Sequence, residues 1–176
     1  MIVPNLLLIA GTGNRSGKTS MACRLIEQFR HLKPVGIKIT PHFHETTEGL
    51  VTIVEEAGYS VFEETDMNIL KDTSRMLRAG AARIFYAKVT DETLPSAFDE
   101  IMEHVPCSSP IICESPALRR YLVPGLFIIM DSKKTNKHKN ISHIQELPHV
   151  MFNLEDLESS SPLPIDFRNG KWLYKE

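Results

Sequence analysis

The stretch Leu6–Ser20, LLLIAGTGNRSGKTS, decides how this chain is read. Leu6, Leu7, Leu8 and Ile9 form a continuous apolar run, the pattern of a parallel strand covered on both faces. Gly11, Gly13 and Gly17 then let the backbone turn with its amides inward, so that several N–H dipoles can converge on one anion. Lys18 offers a cation to the outer phosphates of a polyphosphate, and Thr19 a hydroxyl to a magnesium ion. A helix beginning here adds its positive dipole end. The loop residues Gly13, Asn14, Arg15, Ser16, Gly17, Lys18, Thr19 and Ser20 are therefore the expected ligands of ATP or GTP, with Mg2+ as the accompanying metal.

The spacing is not that of the shorter phosphate loop, GxxxxGK[ST]. Thr12 stands five residues before Gly17, and the nearest glycine, Gly11, stands six before it, which gives the longer GTxxxxGKT form. Downstream, Met21, Ala22, Leu25, Ile26 and Phe29 recur at a 3.6-residue period, the apolar face of a helix that packs on a sheet.

Composition fits one compact domain over residues 1–176, since 42% hydrophobic and 24% charged residues suffice for a substantial core. A net charge of only -2 provides no global field for nucleic acid or an anionic membrane. Cys23, Cys107 and Cys113 are widely separated and form no CxxC pair, which predicts reduced, mostly buried thiols in a cytoplasmic protein. The longest apolar stretch is too short to span a bilayer, and the N-terminus lacks the basic flank of a signal peptide.

Strands and helices alternate along the chain. KPVGIKI (Lys33–Ile39) reads as a strand, and Thr46–Glu64 as an acidic helical segment in which Leu50, Ile53, Val54 and Ala57 keep helical spacing up to Gly58. A helix follows from Asp72, its candidate N-cap, to Ala79, with Gly80 as the stop. Then come a strand at Ala82–Val89, a helix at Leu94–His104, strands at Pro110–Cys113 and Gly125–Met130, helical signal at Ile141–Glu146 and a strand at His149–Phe152. Asn169-Gly170 has the turn chemistry of a hairpin within Ile165–Tyr174. The alternation predicts right-handed crossovers and a mostly parallel sheet, with ligands beyond the carboxyl ends of its strands. Lys38, Glu114 and Asp131 all occupy such ends, beside the glycine loop.

Four stretches, GTGNRSGKT, VGIKITPHFH, KDTSRMLRAGAARIF and PIICES, resemble the molybdopterin-guanine dinucleotide biosynthesis protein B family. The longer loop and the KPV segment are more similar to dethiobiotin synthetase, a relative in the same broad class. The resemblance implies a three-layer α/β P-loop NTPase with a mostly parallel central sheet, and a homodimer. It makes Gly13, Gly17, Lys18 and Thr19 nucleotide ligands, turns Asp72 toward the phosphates, and makes Glu114 the acid that shares the metal with Thr19. The chain departs from the pattern at the segment near 46–64, which is inserted, and at Ser115, which replaces a glycine.

Other residues have competing roles. Glu114 is preferred to Asp131 as the metal acid, because an acid ending a strand can hold a hard cation, whereas Asp131 could simply start a turn. Asp72 is useful as a cap with no ligand present. His42 and His44 lack a third partner for zinc, which leaves His42 as part of a loop lining the substrate pocket. Asn136-Lys137 starts a guanine-reading element, yet Lys139 stands where its carboxylate belongs, so KKTNKHK reads as a basic solvated loop. Three functions fit: a magnesium-dependent NTP hydrolase in which Lys18, Asp72 and Glu114 act; a small-molecule kinase or ligase with Lys38 on an acceptor carboxylate; or a nucleotide-binding adaptor for a partner nucleotidyltransferase.

Overall fold

Apolar residues concentrated in short runs place a sheet at the centre of the molecule. The computed structural model describes residues 1–13, 15–41, 47–132 and 142–175. In chain order the elements are β1 (Ile2–Gly11), α1 (Lys18–Gln28), β2 (Val35–Thr40), β3 (Leu50–Glu56), β4 (Tyr59–Glu64), α2 (Asp72–Arg78), β5 (Arg83–Val89), α3 (Leu94–Glu103), β6 (Ile111–Glu114), β7 (Val123–Asp131), α4 (Ser142–Gln145), β8 (Val150–Asn153), β9 (Ile165–Arg168) and β10 (Lys171–Tyr174). The large sheet has the order β3-β4-β5-β2-β6-β1-β7-β8. From β5 to β8 its neighbours pair in parallel, while β3 and β4 run antiparallel on one edge.

The leucine run is wholly buried because both faces of β1 are covered. Leu6, Leu8 and Ala10 face a core shared with Leu94, Ala97, Phe98 and Ile101 of α3. Leu7 and Ile9 face the opposite core, shared with Met21, Ala22, Leu25 and Ile26 of α1 and Met76 of α2. Burying each large aliphatic or methionine side chain in this way stabilises the fold by roughly 1.5–3 kcal/mol. The result is an α/β fold with helices on both faces of a large, mostly parallel sheet. The β9–β10 hairpin, turned at Asn169-Gly170, closes over the α1 side. There Trp172 is 1% exposed, and its indole Nε1 donates to the carbonyls of Asn5 (2.8 Å) and Ile111 (3.2 Å).

Several expectations need correction. Residues 50–64 form the β3–β4 hairpin, not a helix, and β4 pairs with β5 so that the hairpin extends the sheet. A register shift between Thr52 and Val54 makes the burial of β3 run intermediate, exposed, exposed, intermediate, intermediate, exposed, exposed. That bulge imitates helical spacing in a strand. Asp72 is the first residue of α2 and does not cap it: Lys71 holds the cap position, and no side chain makes a cap hydrogen bond. The cysteines are not mostly buried, since Cys113 is buried, Cys23 intermediate and Cys107 exposed. Among the described residues, no helix is long and apolar enough to cross a membrane.

Candidate functional site

The strand order builds a crevice at the carboxyl end of β1. From β1 the chain passes through α1 to β2, which lies beyond β6, whereas β7 flanks β1 on its other side. Connections leaving in opposite directions open the sheet edge there, where ligands of such sheets bind. A cleft of about 620 Å³ occupies this place. It is lined by residues of the 11–20 loop together with Lys38, Asp72, Arg75, Asp91, Glu114 and Leu154.

The loop is shaped by two glycines. A Cβ at Gly11 would lie 2.1 Å from the hydroxyl of buried Ser16, so only glycine lets the loop fold back on its strand. Gly17 has φ +92°, and a Cβ there would also meet Leu154 at 2.5 Å. Gly17 is the N-cap of α1, and it cannot supply a capping side chain. The first turn of α1 holds no acid and begins instead with the cation Lys18. That is the reverse of what a helix dipole favours, and it leaves an N-terminus suited to an external anion. The Lys18 ammonium lies over the loop, donating to the Gly13 carbonyl (3.0 Å) and the Ser16 hydroxyl (3.2 Å).

Charged side chains meet on the β2 side of the loop. The Thr19 hydroxyl donates to Glu114 Oε2 at 2.8 Å. Lys38 Nζ bonds the Asp72 carboxylate and stands 3.5 Å from Glu114 Oε2. Arg75 lies one turn along α2, with Nη1 3.6 Å from Asp72 Oδ1 and Nη2 3.4 Å from the Ser20 hydroxyl. Burial alone would lower the Lys38 pKa, but the Glu114 charge and the bond to Asp72 overcome it and hold the ammonium above its ordinary value. Burial likewise works to raise the Asp72 carboxyl, and Lys38 overrides it, leaving that pKa below the usual range. Both groups are thus kept ionised at neutral pH.

The expected residues Gly13, Arg15, Ser16, Gly17, Lys18, Thr19, Ser20, Lys38, Asp72 and Glu114 come together in or beside this cleft. Asn14 and His42, with His44 and the 133–139 loop, lie outside the described residues. Asp131 is not in the lining; its carboxylate accepts from the Thr12 hydroxyl at 3.2 Å. Arg75, Asp91 and Leu154 also line the cleft without having been singled out from sequence. Arg75 could have been found one helical turn from Asp72, whereas nothing local to Leu154 points to the loop it covers. The pairing of a hydroxyl and a carboxylate oxygen at Thr19 and Glu114 suits a hard divalent cation, which takes oxygen ligands. No protein-family model, curated protein or solved structure matches the chain.

Proposed function

We propose that the chain binds a nucleoside triphosphate through a P-loop formed by residues 11–20 and hydrolyses it with magnesium. The observation that carries this reading is the Thr19–Glu114 contact of 2.8 Å, set beside a helix N-terminus that has no capping side chain and begins with Lys18. Loop amides and Lys18 would offset charge on the outer phosphates, the term that dominates phosphoryl transfer. Thr19 and Glu114 would hold magnesium, which would supply neutralisation of the charge that develops on the phosphate oxygens. Asp72, fixed by Lys38 and with its side chain 43% exposed, orients the attacking water. The water oxygen bonds to the terminal phosphorus, the bond to the bridging oxygen breaks, nucleoside diphosphate leaves, and the water proton passes to an oxygen of the released phosphate.

A place beside the molybdopterin-guanine dinucleotide biosynthesis protein B family belongs to the same proposal, supported by the meeting of Asp72 and Glu114 across Lys38. The cleft continues beyond Lys38, which favours transfer to a small-molecule acceptor as the second reading. Lys18→Ala tests the first. It should lower triphosphate affinity by about one to two decades while leaving the melting curve intact, because a charge-assisted contact is worth roughly 1.5–3 kcal/mol. An unchanged titration curve would remove the phosphate-loop assignment. Turnover with triphosphate alone separates the alternatives: slow release of phosphate fits hydrolysis, dependence on an added acceptor fits a kinase, and binding without turnover fits an adaptor.

A further inference from the structure

The cleft has two halves of different chemistry. The loop half is polar and charged, while the half over the ends of β2, β5 and β6 has mostly apolar walls, Ile39, Pro41, Val89, Leu94, Pro116 and Ala117, interrupted by Thr40 and Ser115. Its whole volume, about 620 Å³, lies mid-range for small-ligand pockets. Leu154 lies against Gly17 on the side of β8, and Lys38, Asp72 and Glu114 lie on the side of β2. A triphosphate on the loop with its terminal phosphate toward those three residues therefore leaves the apolar half beyond that phosphate.

Charge decides what that half can hold. Asp91 is the one charged side chain among its described lining residues, and its carboxylate already accepts from Arg120 Nη2 at 2.8 Å. At the border between the halves, the Lys38 ammonium is shared by two carboxylates, Asp72 and Glu114, and the Arg75 guanidinium is engaged by Asp72 at 3.6 Å and by the Ser20 hydroxyl at 3.4 Å. An incoming carboxylate would find both cations already engaged by the site's own groups and would give up its hydration against an apolar wall with no counter-ion of its own, which costs several kcal/mol. An amine would find its acids already paired. A neutral molecule gives up far less hydration than an ion and gains the burial of its apolar body.

We propose that this half is a subsite for a neutral, largely apolar small molecule, not for a carboxylated one. The proposal rests on the nucleotide reading only for which end of the ligand faces the phosphate. It revises the role that sequence gave to Lys38, from a receptor for an acceptor carboxylate to the counter-ion of the site's own acids.

The test uses two probes with the same ring and chain, 2-phenylethanol and phenylacetate, titrated into the full chain and followed by ligand-observed NMR. The protein is first saturated with magnesium and a non-hydrolysable triphosphate analogue. The alcohol should bind at least about a hundredfold more tightly than the acid, the preference expected when a carboxylate is desolvated without a counter-ion. Ala117→Arg, at a half-buried position, should reverse the preference by adding a cation to the apolar wall. Equal or tighter binding of phenylacetate to the wild-type protein would overturn the proposal, and so would binding of neither probe. If Ala117→Arg does not fold, the wild-type preference alone decides. Failure to bind the triphosphate analogue would instead defeat the nucleotide reading, so the two can fail separately.

Discussion

Replacing Lys38 with methionine keeps an unbranched chain of similar length and removes only the ammonium that joins Asp72 to Glu114. Two figures bracket the cost. Stranding a buried charge by deleting its partner costs roughly 3–5 kcal/mol, whereas an exposed pair is worth roughly 0–1 kcal/mol. Here the side chains of Lys38 and Glu114 are 19% and 9% exposed, but their atoms stand at the long end of an ion pair, 3.5 Å. Asp72 is closer, yet its side chain is 43% exposed, and solvent screening discounts its share. Lys38→Met should therefore destabilise the protein by about 1–3 kcal/mol at neutral pH. The pH dependence has a definite sign. Asp72 titrates below its ordinary value in the folded protein, so its contribution is complete above the unfolded pKa of about 3.9 and is lost as pH falls through the folded value. Lys38 titrates above its ordinary value, so its contribution is complete below the unfolded pKa of about 10.4 and is lost as pH rises through the folded value. The deficit of the variant should be widest between these limits and narrow in acid. Urea denaturation of both proteins in steps from pH 7 to about 2, which carries Asp72 through its lowered folded pKa, reads it directly. A deficit that stays constant over that range would mean that the methylene stem, not the charge, does the stabilising.

Glu114→Gln should abolish most magnesium-dependent turnover, a loss beyond the roughly tenfold that disturbing even an outer metal partner costs, while metal-free nucleotide binding persists. Asp131→Asn should do less, since that carboxylate serves Thr12; the opposite ranking in a phosphate-release assay would transfer the metal to Asp131. Gly17→Ala should cost about 1–2 kcal/mol from its positive φ. Leu154 is 44% exposed and free to turn aside, so adding Leu154→Ala should restore little of this loss; full rescue in urea melts would show that the clash dominates. ATP and GTP should compete within about tenfold of each other for a fluorescent nucleotide, a gap of about 1.4 kcal/mol. Asp156, an acid that could have reached the base, already accepts from the Asn153 amide at 2.7 Å; a hundredfold preference for GTP would require a guanine reader elsewhere.

What could be read from sequence was whatever a single periodicity or loop chemistry determines. The apolar run before Gly11 and the 3.6-residue face from Met21 to Phe29 each have one interpretation, and both lie where expected. The segment from Leu50 to Ala57 had two. Its bulge puts Ile53 and Val54 side by side in burial, and a period-two strand with one extra residue is locally indistinguishable from a helix. What decides for a strand is pairing with β5, which sequence spacing does not reveal. The site behaves likewise. Thr19, Glu114 and Asp72 were recognisable as residue types, but the bond that joins Thr19 to Glu114 spans 95 positions, and the commitment of Lys38 to two acids depends on strand order. Arg75 was hidden for another reason: an arginine in the last turn of a short helix is equally explained by its dipole.

The Trp172 indole gives the molecule a timetable. It covers carbonyls of Asn5 and Ile111, and the first of these precedes it by 167 positions. At roughly 5–20 residues per second, a ribosome would deliver that indole about ten to thirty seconds after Asn5. Through that interval the α1-side core waits without its cover. Because this is the only tryptophan in the chain, its emission marks the moment at which the β9–β10 hairpin docks.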